Sequence, residues 1–442
     1  MKLPKIFIKI GLILLIIVTA VLTVRAVFNY TEGRKLARAV AELKEKGIPT
    51  STKDLAPPCP DGDNAARLWK AAENLLTIEG EDRGILSEAW TDFANAKPLN
   101  PAHREGLARL IAKNELALRL VREMAVKPCF LFRDRKDSLV ETMIPNAIKM
   151  ISATRLLGFE ALLIAERGDI PEAVKRLGTG LKFTSRISEE GLLITLMIAV
   201  ADTRMLLNFL TEVCEGRAVD EATLVSLIEE LDPGPWRSRL SQSLSAERVF
   251  SLEWGSEVIK GKGRVMADEK RINRLFYWLI RPVLKAEVIW RLRKFSRWEQ
   301  IADEPYFRQR ALLEADRDYS GDLPWYFKIT GFLEAGAYGT VFLKQAMLEA
   351  TLLASRTGLA CRLFKSRAGE YPENLEALVP GILKEVPIDP FTGKPLVYRR
   401  EGKGFIVYSL GSNEKDDEGR STFMITQLVM DKDDDWSWKE LW

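Results

Sequence analysis

The sequence contains little histidine and little cysteine, and both scarcities exclude classes of function. A single histidine, His103, removes most hydrolase triads and most zinc sites, and we expect His103 itself to be a solvated surface residue. The four cysteines include no CxxC pair, which excludes a zinc ribbon and a thioredoxin-type motif. Neither sign of charge is in excess, since Lys+Arg 65 and Asp+Glu 62 give a net charge of +3. We therefore expect no nucleic acid partner.

The sequence does contain enough apolar residues for a large folded body. Hydrophobic residues make up 47% and charged residues 29% of the 442 residues, which excludes wholesale disorder and predicts two or three units. The predicted fold class is mainly α, in four parts. These are an N-terminal transmembrane anchor at 1–30, a helix and Pro-rich linker at 31–63, a helical body at 64–338 and an α+β module at 339–442.

The N-terminal segment has the composition of a membrane anchor. Three lysines precede an uncharged apolar run from Ile10 to Val24, and Arg25 follows it. Residues 6–28 can cross a lipid bilayer, because about 20 apolar residues span the hydrocarbon and basic side chains at the ends snorkel. The lysines favour a cytoplasmic N-terminus, which predicts a single-pass protein of the inner membrane with a periplasmic body. A cleaved signal peptide is the alternative, since small residues stand at positions 20 and 26.

The predicted location of the body outside the cytoplasm affects the interpretation of the cysteines. Cys59 and Cys129 both lie in Pro-marked loops and could pair in an oxidising compartment. Cys214 and Cys361 fall in helical patterns, where we expect buried thiols.

From residue 64 to residue 338 the apolar residues recur almost continuously at helical spacing. A predicted joint between two helices carries Gly168 as C-cap, Asp169 as N-cap and Pro171 in the first turn. Since no repeat period recurs along the chain, we predict a helical bundle or an irregular solenoid rather than a repeat array.

Two helices of the predicted body have unusual compositions. Residues 192–210 are very apolar but include Asp202 and Arg204, which predicts a buried central helix, with a second membrane span as the alternative. Residues 271–297 interleave basic and aromatic side chains. We expect an amphipathic bundle helix there, with contact to an anionic membrane surface as the alternative.

The last hundred residues differ in pattern from the body. A long helix is predicted at 340–366, followed by a region rich in proline and glycine. Two strands are then predicted at 396–400 and 405–410 with a hairpin turn between them, and a third at 436–441. The expected architecture is a helix followed by a small antiparallel sheet.

Three motifs occur in order in this region, GEYPENLEALVP at 369–380, VPIDPFTGKPLVYR at 386–399 and GFIVYSLGSNEKDDEG at 404–419. In this order they resemble the globular part of the major pseudopilin of type II secretion systems, over less than a quarter of the chain. The N-terminal run departs from that family, because Ile16 stands where a pilin-like precursor cleaved at Gly11 would carry glutamate. The resemblance therefore implies a shared pseudopilin-like module and not assembly into a pilus.

In the pseudopilin, the loop after the corresponding strand binds calcium. Carried over by position, the resemblance implies ligands at Leu410 (through its carbonyl), Asn413, Asp416 and Asp417, with Asp434 closing the site. Residues 413–440 hold nine Asp/Glu against four Lys/Arg, and calcium prefers carboxylate and carbonyl oxygens of this kind. A solvated acidic loop without a metal is the alternative.

These patterns together predict a non-catalytic, membrane-anchored envelope protein. Its expected role is scaffolding or interaction with an envelope protein partner, beside type II secretion or pilus-like machinery. One alternative is an envelope hydrolase with carboxylates in a groove of the helical body, which a cleft holding two or three inward-facing acids would favour. Another is a secreted soluble binding protein, with a mature chain that begins at Val21 or Val27.

Overall fold

Helices make up most of the described chain, as the apolar periodicity predicts. The computed structural model describes residues 5–55, 59–132, 146–260, 274–318, 328–419 and 436–440. The helices are α1 (Lys5–Glu45), α2 (Ala65–Leu75), α3 (Glu81–Ala94), α4 (Pro101–Lys113), α5 (Glu115–Met124), α6 (Ala147–Glu166), α7 (Ile170–Ile187), α8 (Leu193–Cys214), α9 (Glu221–Glu230), α10 (Gly234–Ile259), α11 (Arg274–Ala302), α12 (Tyr306–Asp318) and α13 (Lys328–Ala368). The strands are β1 (Val397–Glu401), β2 (Gly404–Ser409) and β3 (Trp436–Glu440).

Helix α1 is uninterrupted, whereas the sequence predicted an anchor followed by a separate helix from residue 31. No proline occurs within it, and an internal glycine costs a helix only about 1 kcal/mol, so nothing in the sequence breaks it. Its apolar side chains from Ile10 to Val27 are exposed, and the helix is long and apolar enough to cross a membrane. The helix ends before Gly47, which adopts the left-handed conformation with φ of +68°.

The chain folds into two compact units, each built from several segments. Among the described residues, unit 1 contains 5–55, 244–260 and 274–299, and unit 2 contains the rest. The core of unit 1 brings together one face of α1 with α10 and α11. Its apolar residues are Leu36, Val40, Leu43, Leu252, Ile259, Val288 and Leu292. Helices α10 and α11 approach closely at Gly255, where an added Cβ would lie 2.2 Å from Val288.

Unit 2 is organised around α8, whose most apolar window is 72% buried. This burial confirms the predicted central helix. Helices α6, α7 and α8 pack against one another, and α13 packs on α8 and α9. The approach of α6 to α8 depends on Gly158, since a Cβ there would lie 2.2 Å from the ring of Phe209. Phe209 in turn stacks on Phe93 of α3, with ring centroids 4.1 Å apart.

The local signals at the joint between α6 and α7 are confirmed. Gly168 has a φ of +92°, the side chain of Asp169 accepts a hydrogen bond from the Glu172 amide, and a proline stands in the first turn of α7.

Cys59 and Cys129 form the disulfide that the sequence left open, with Cα atoms 6.0 Å apart.

The other cysteines and the basic aromatic helix also follow the sequence. Cys214 and Cys361 are buried thiols, as predicted. In α11, Phe295 and Trp298 are buried whereas Arg293 is exposed, which agrees with an amphipathic helix.

The C-terminal strands form the predicted small antiparallel sheet in the order β1-β2-β3. Val397 pairs with Tyr408 and Glu401 with Gly404 across the hairpin, while Ser409 pairs with Trp436 on the other side. Both β2 and β3 lie against α13. That helix begins at Lys328, upstream of the predicted start at residue 340, because nothing between these positions ends a helix.

Candidate functional site

The candidate site is the loop that follows β2, and the buried carboxylate of Asp389 organises it. Asp389 is 1% exposed. Its Oδ1 accepts hydrogen bonds from the Ser409 hydroxyl (2.8 Å) and the Phe391 amide (2.9 Å), and its Oδ2 accepts one from the Leu410 amide (3.0 Å). One carboxylate thus ties the turn before β1 to the end of β2, because three donors share it. Asp389 belongs to the motif at 386–399, but no local sequence signal indicates this role.

A second carboxylate, Asp416, folds back onto the sheet. The Tyr408 hydroxyl and the Glu418 amide both donate to its Oδ1, at 2.8 Å and 2.9 Å. The hydrogen bond from Tyr408 and then the one from Glu418 lower the pKa of Asp416, since both favour the ionised form. Asp416 is therefore a fixed negative charge at neutral pH.

The tip of the loop is held by Asn413 and Asp417. The Asn413 amide nitrogen donates to Asp417 at 3.0 Å, and the Asn413 amide oxygen accepts from the Lys415 backbone at 2.9 Å. Within this loop Gly419 lies against β2, since a Cβ there would lie 2.3 Å from Ile406, and its φ is +69°. Only glycine fits there, so the position of the chain at Gly419 is closely defined.

The structure brings some of the predicted calcium ligands together. Asn413 and Asp417 are in direct contact, Asp416 is turned towards Tyr408, and the Leu410 amide is bound to Asp389, whereas Asp434 lies outside the described residues. No group of three or more His, Cys, Asp or Glu suited to a metal occurs in the described ranges. Calcium binding would require Asn413 to turn its amide oxygen away from Lys415, and Asp416 to use Oδ2.

The prediction of a solvated surface histidine is wrong. The His103 side chain is only 14% exposed, and both ring nitrogens are hydrogen bonded to acids of α3. Nδ1 lies 3.1 Å from Asp92 and Nε2 lies 3.0 Å from Glu88. His103 therefore joins α4 to α3, a contact that no local sequence signal indicates.

Buried acids of unit 2 bear on the hydrolase alternative. Asp202 is fully buried, and burial raises its pKa to about 7 although the Thr154 hydroxyl donates to it at 3.0 Å. Burial also raises the pKa values of Glu160, Glu189 and Glu230, and each of these pairs with a basic side chain. A substrate cannot reach Asp202, and the other three acids have structural partners, so these four acids do not favour a hydrolase.

Unit 1 contains a groove of about 790 Å³ beside α1 and α10. Two of its carboxylates hold the chain at residues 50–54. Glu253 accepts from the Thr52 amide (2.9 Å) and hydroxyl (2.7 Å), while Asp54 accepts from the Thr50 amide at 3.0 Å. That bond from Thr50, followed by bonds from Ser51, lowers the pKa of Asp54. A general acid needs a raised pKa, so Asp54 is unsuited to that role.

No protein-family model matches the chain, and no curated protein or solved structure matches it either. Functional proposals therefore depend on the residues and geometry described above.

Proposed function

We propose that the protein is a non-catalytic, membrane-anchored scaffold of the bacterial envelope, with a periplasmic body that holds an interaction module. The observation that carries the proposal is the continuity of α1. Its first half exposes an apolar surface from Ile10 to Val27, and its second half contributes Leu36, Val40 and Leu43 to the core of unit 1. Exposed apolar side chains of this number are costly in water and favourable in lipid.

The continuity also favours an anchor over a signal peptide. Cleavage before Val21 or Val27 would cut within α1, and the new N-terminus would begin close to contacts of unit 1. Arg25, for example, donates through Nε to the Trp278 carbonyl at 3.1 Å and lies over the Trp278 ring. Cleavage before Val27 would remove this contact.

Membrane fractionation of the full chain tests the anchor. We expect the chain to remain in the membrane pellet after washing with alkaline carbonate, because about 20 apolar residues cross the bilayer. Introducing two charges by Leu14→Arg with Val18→Arg should release it, whereas the same change at exposed polar positions, Glu105→Arg with Lys175→Arg, should not. Release of the unchanged chain would contradict the proposal.

The C-terminal module is proposed to bind calcium at the loop after β2, as a site for partners beside secretion machinery. The supporting observations are the ionised Asp416 and the adjacent Asn413 and Asp417. Calcium at millimolar concentration should raise the melting temperature of the full chain by mass action. Asp416→Asn with Asp417→Asn should abolish the shift, and the exposed pair Glu373→Gln with Glu376→Gln should leave it. Without any shift, the loop is a solvated acidic surface.

A further inference from the structure

Three basic side chains of unit 1 converge where the predicted membrane span ends. Arg25 donates to the carbonyl oxygen of Trp278, and its guanidinium carbon lies 3.4 Å from the centre of the Trp278 ring. One turn further along α1, the Lys285 ammonium donates to the Asn29 carbonyl at 3.1 Å. Arg281 stands between Trp278 and Lys285 on α11.

The positive charge of this cluster is not compensated within the described chain. No carboxylate of the described residues forms an ion pair with Arg25, Arg281 or Lys285. The Nε of Arg281 is buried and has no hydrogen-bond partner in that part of the chain. Burial and then the charges of Arg281 and Arg25 lower the pKa of Lys285. Like charges held this close are unfavourable unless an anion joins them.

The position of the cluster along α1 indicates which anion is available. Arg25 and Asn29 lie on either side of Phe28, the last residue of the predicted span, and four residues of helix rise about 6 Å. Trp278 contacts Arg25, and the exposed Tyr30 follows Asn29 on α1, so both aromatic side chains lie near the end of the span, where such side chains are enriched at membrane surfaces. The cluster is therefore at the depth of lipid headgroups.

We propose that Arg25, Arg281 and Lys285 bind the phosphate of an anionic phospholipid in the leaflet that faces the body. This inference depends on the membrane anchor of the proposed function. Guanidinium groups bind phosphate oxygens through charge-assisted hydrogen bonds, and the partly exposed Arg281 has no carboxylate partner among the described residues. A phospholipid fits better than free phosphate, because its acyl chains can lie along the exposed Val21 and Val24 of α1.

Lipid titration of the full chain in a neutral detergent tests the site, with thermal unfolding as the readout. The probes are dioctanoyl phosphatidylglycerol, dioctanoyl phosphatidylcholine and inorganic phosphate. We expect only phosphatidylglycerol to raise the melting temperature strongly. Arg281→Gln should weaken its apparent affinity about tenfold, since charge-assisted bonds are lost. Arg293→Gln, at an exposed position on the same helix, is the matched control and should behave as the unchanged chain.

The lipid-free proteins provide a check on folding. Arg281→Gln should not lower the melting temperature without lipid, because the Nε has no described partner and the substitution removes repulsion. Equal responses to phosphatidylglycerol and phosphatidylcholine, or equal responses of the two variants, would overturn the inference. If inorganic phosphate raised the melting temperature as much as phosphatidylglycerol does, the ligand would be a soluble anion and the lipid proposal would be wrong. Release of the chain from membranes by carbonate would contradict the membrane anchor itself. If the chain is retained but shows no preference among the lipids, only the phospholipid site is contradicted.

Discussion

The buried Asp202 makes the stability of the protein depend on pH in a direction opposite to that of most carboxylates. Burial raises its folded-state pKa to about 7, against 3.8 for an unperturbed aspartate. Between these two pH values the folded protein holds a proton that the unfolded chain releases. The free energy of unfolding therefore falls as the pH rises from about 4 to about 7, and it levels off above that range.

The size of the effect follows from the shift. One pH unit is worth about 1.4 kcal/mol for a single proton while Asp202 is fully protonated in the folded protein, and half of that at its pKa. The contribution of Asp202 to the free energy of unfolding therefore falls by about 2 kcal/mol between pH 5 and pH 7. Asp202→Asn preserves the shape, retains an oxygen for the Thr154 hydroxyl and cannot titrate. Relative to the unchanged protein, the free energy of unfolding of the variant should therefore rise by about 2 kcal/mol over this pH interval.

Urea unfolding of both proteins in the same detergent, at half-unit steps from pH 5 to pH 8, measures this difference. Glu105→Gln is the control, because Glu105 is exposed and its substitution removes a carboxyl group at the surface. A constant difference between Asp202→Asn and the unchanged protein would refute the reasoning. It would mean that Asp202 is already ionised at pH 5 and stabilised by the charge of Arg155.

Three further predictions concern the fold of unit 2. Reducing the disulfide between Cys59 and Cys129, which are 70 residues apart, should lower the free energy of unfolding by about 4 kcal/mol. An unchanged urea midpoint in the presence of reductant would contradict this prediction. Gly158→Ala should lower the free energy of unfolding by about 1–3 kcal/mol through overpacking. Gly84→Ala, in the open part of α3, should instead raise it by up to about 1 kcal/mol. Equal melting temperatures of the two variants would contradict the close packing at Gly158. Asp389→Ala should lower the free energy of unfolding by about 3 kcal/mol or more, because three donors lose their acceptor. Hydrogen exchange at the end of β2 should accelerate in this variant. Unchanged exchange there would contradict the role of Asp389 in holding the loop.

The features that the sequence predicted are those with local causes. The cap residues around Gly168 and Asp169 defined the joint between α6 and α7, and two strand-like runs joined by a Gly-containing turn defined the β1–β2 hairpin. Each of these signals lies within a few residues of the structure that it specifies. The helical class and the apolar N-terminal helix could be predicted for the same reason.

The features that the sequence did not predict depend on distant partners. His103 is hydrogen bonded to Asp92 and Glu88, which lie 11 and 15 residues earlier in the chain. Arg25 donates a hydrogen bond to Trp278 at a separation of 253 residues. Asp389 joins Ser409 across 20 residues. Composition and periodicity describe one helix or strand at a time. A contact between polar side chains of two different elements therefore leaves no periodic signal in the sequence.

The most direct test of the account is the intact mass of the chain extracted from membranes by detergent. An uncleaved anchor predicts the whole 442-residue protein of 50.0 kDa in the membrane fraction, resistant to carbonate. A soluble protein with a mass that corresponds to a start at Val21 or Val27 would contradict the anchor and identify a secreted body instead.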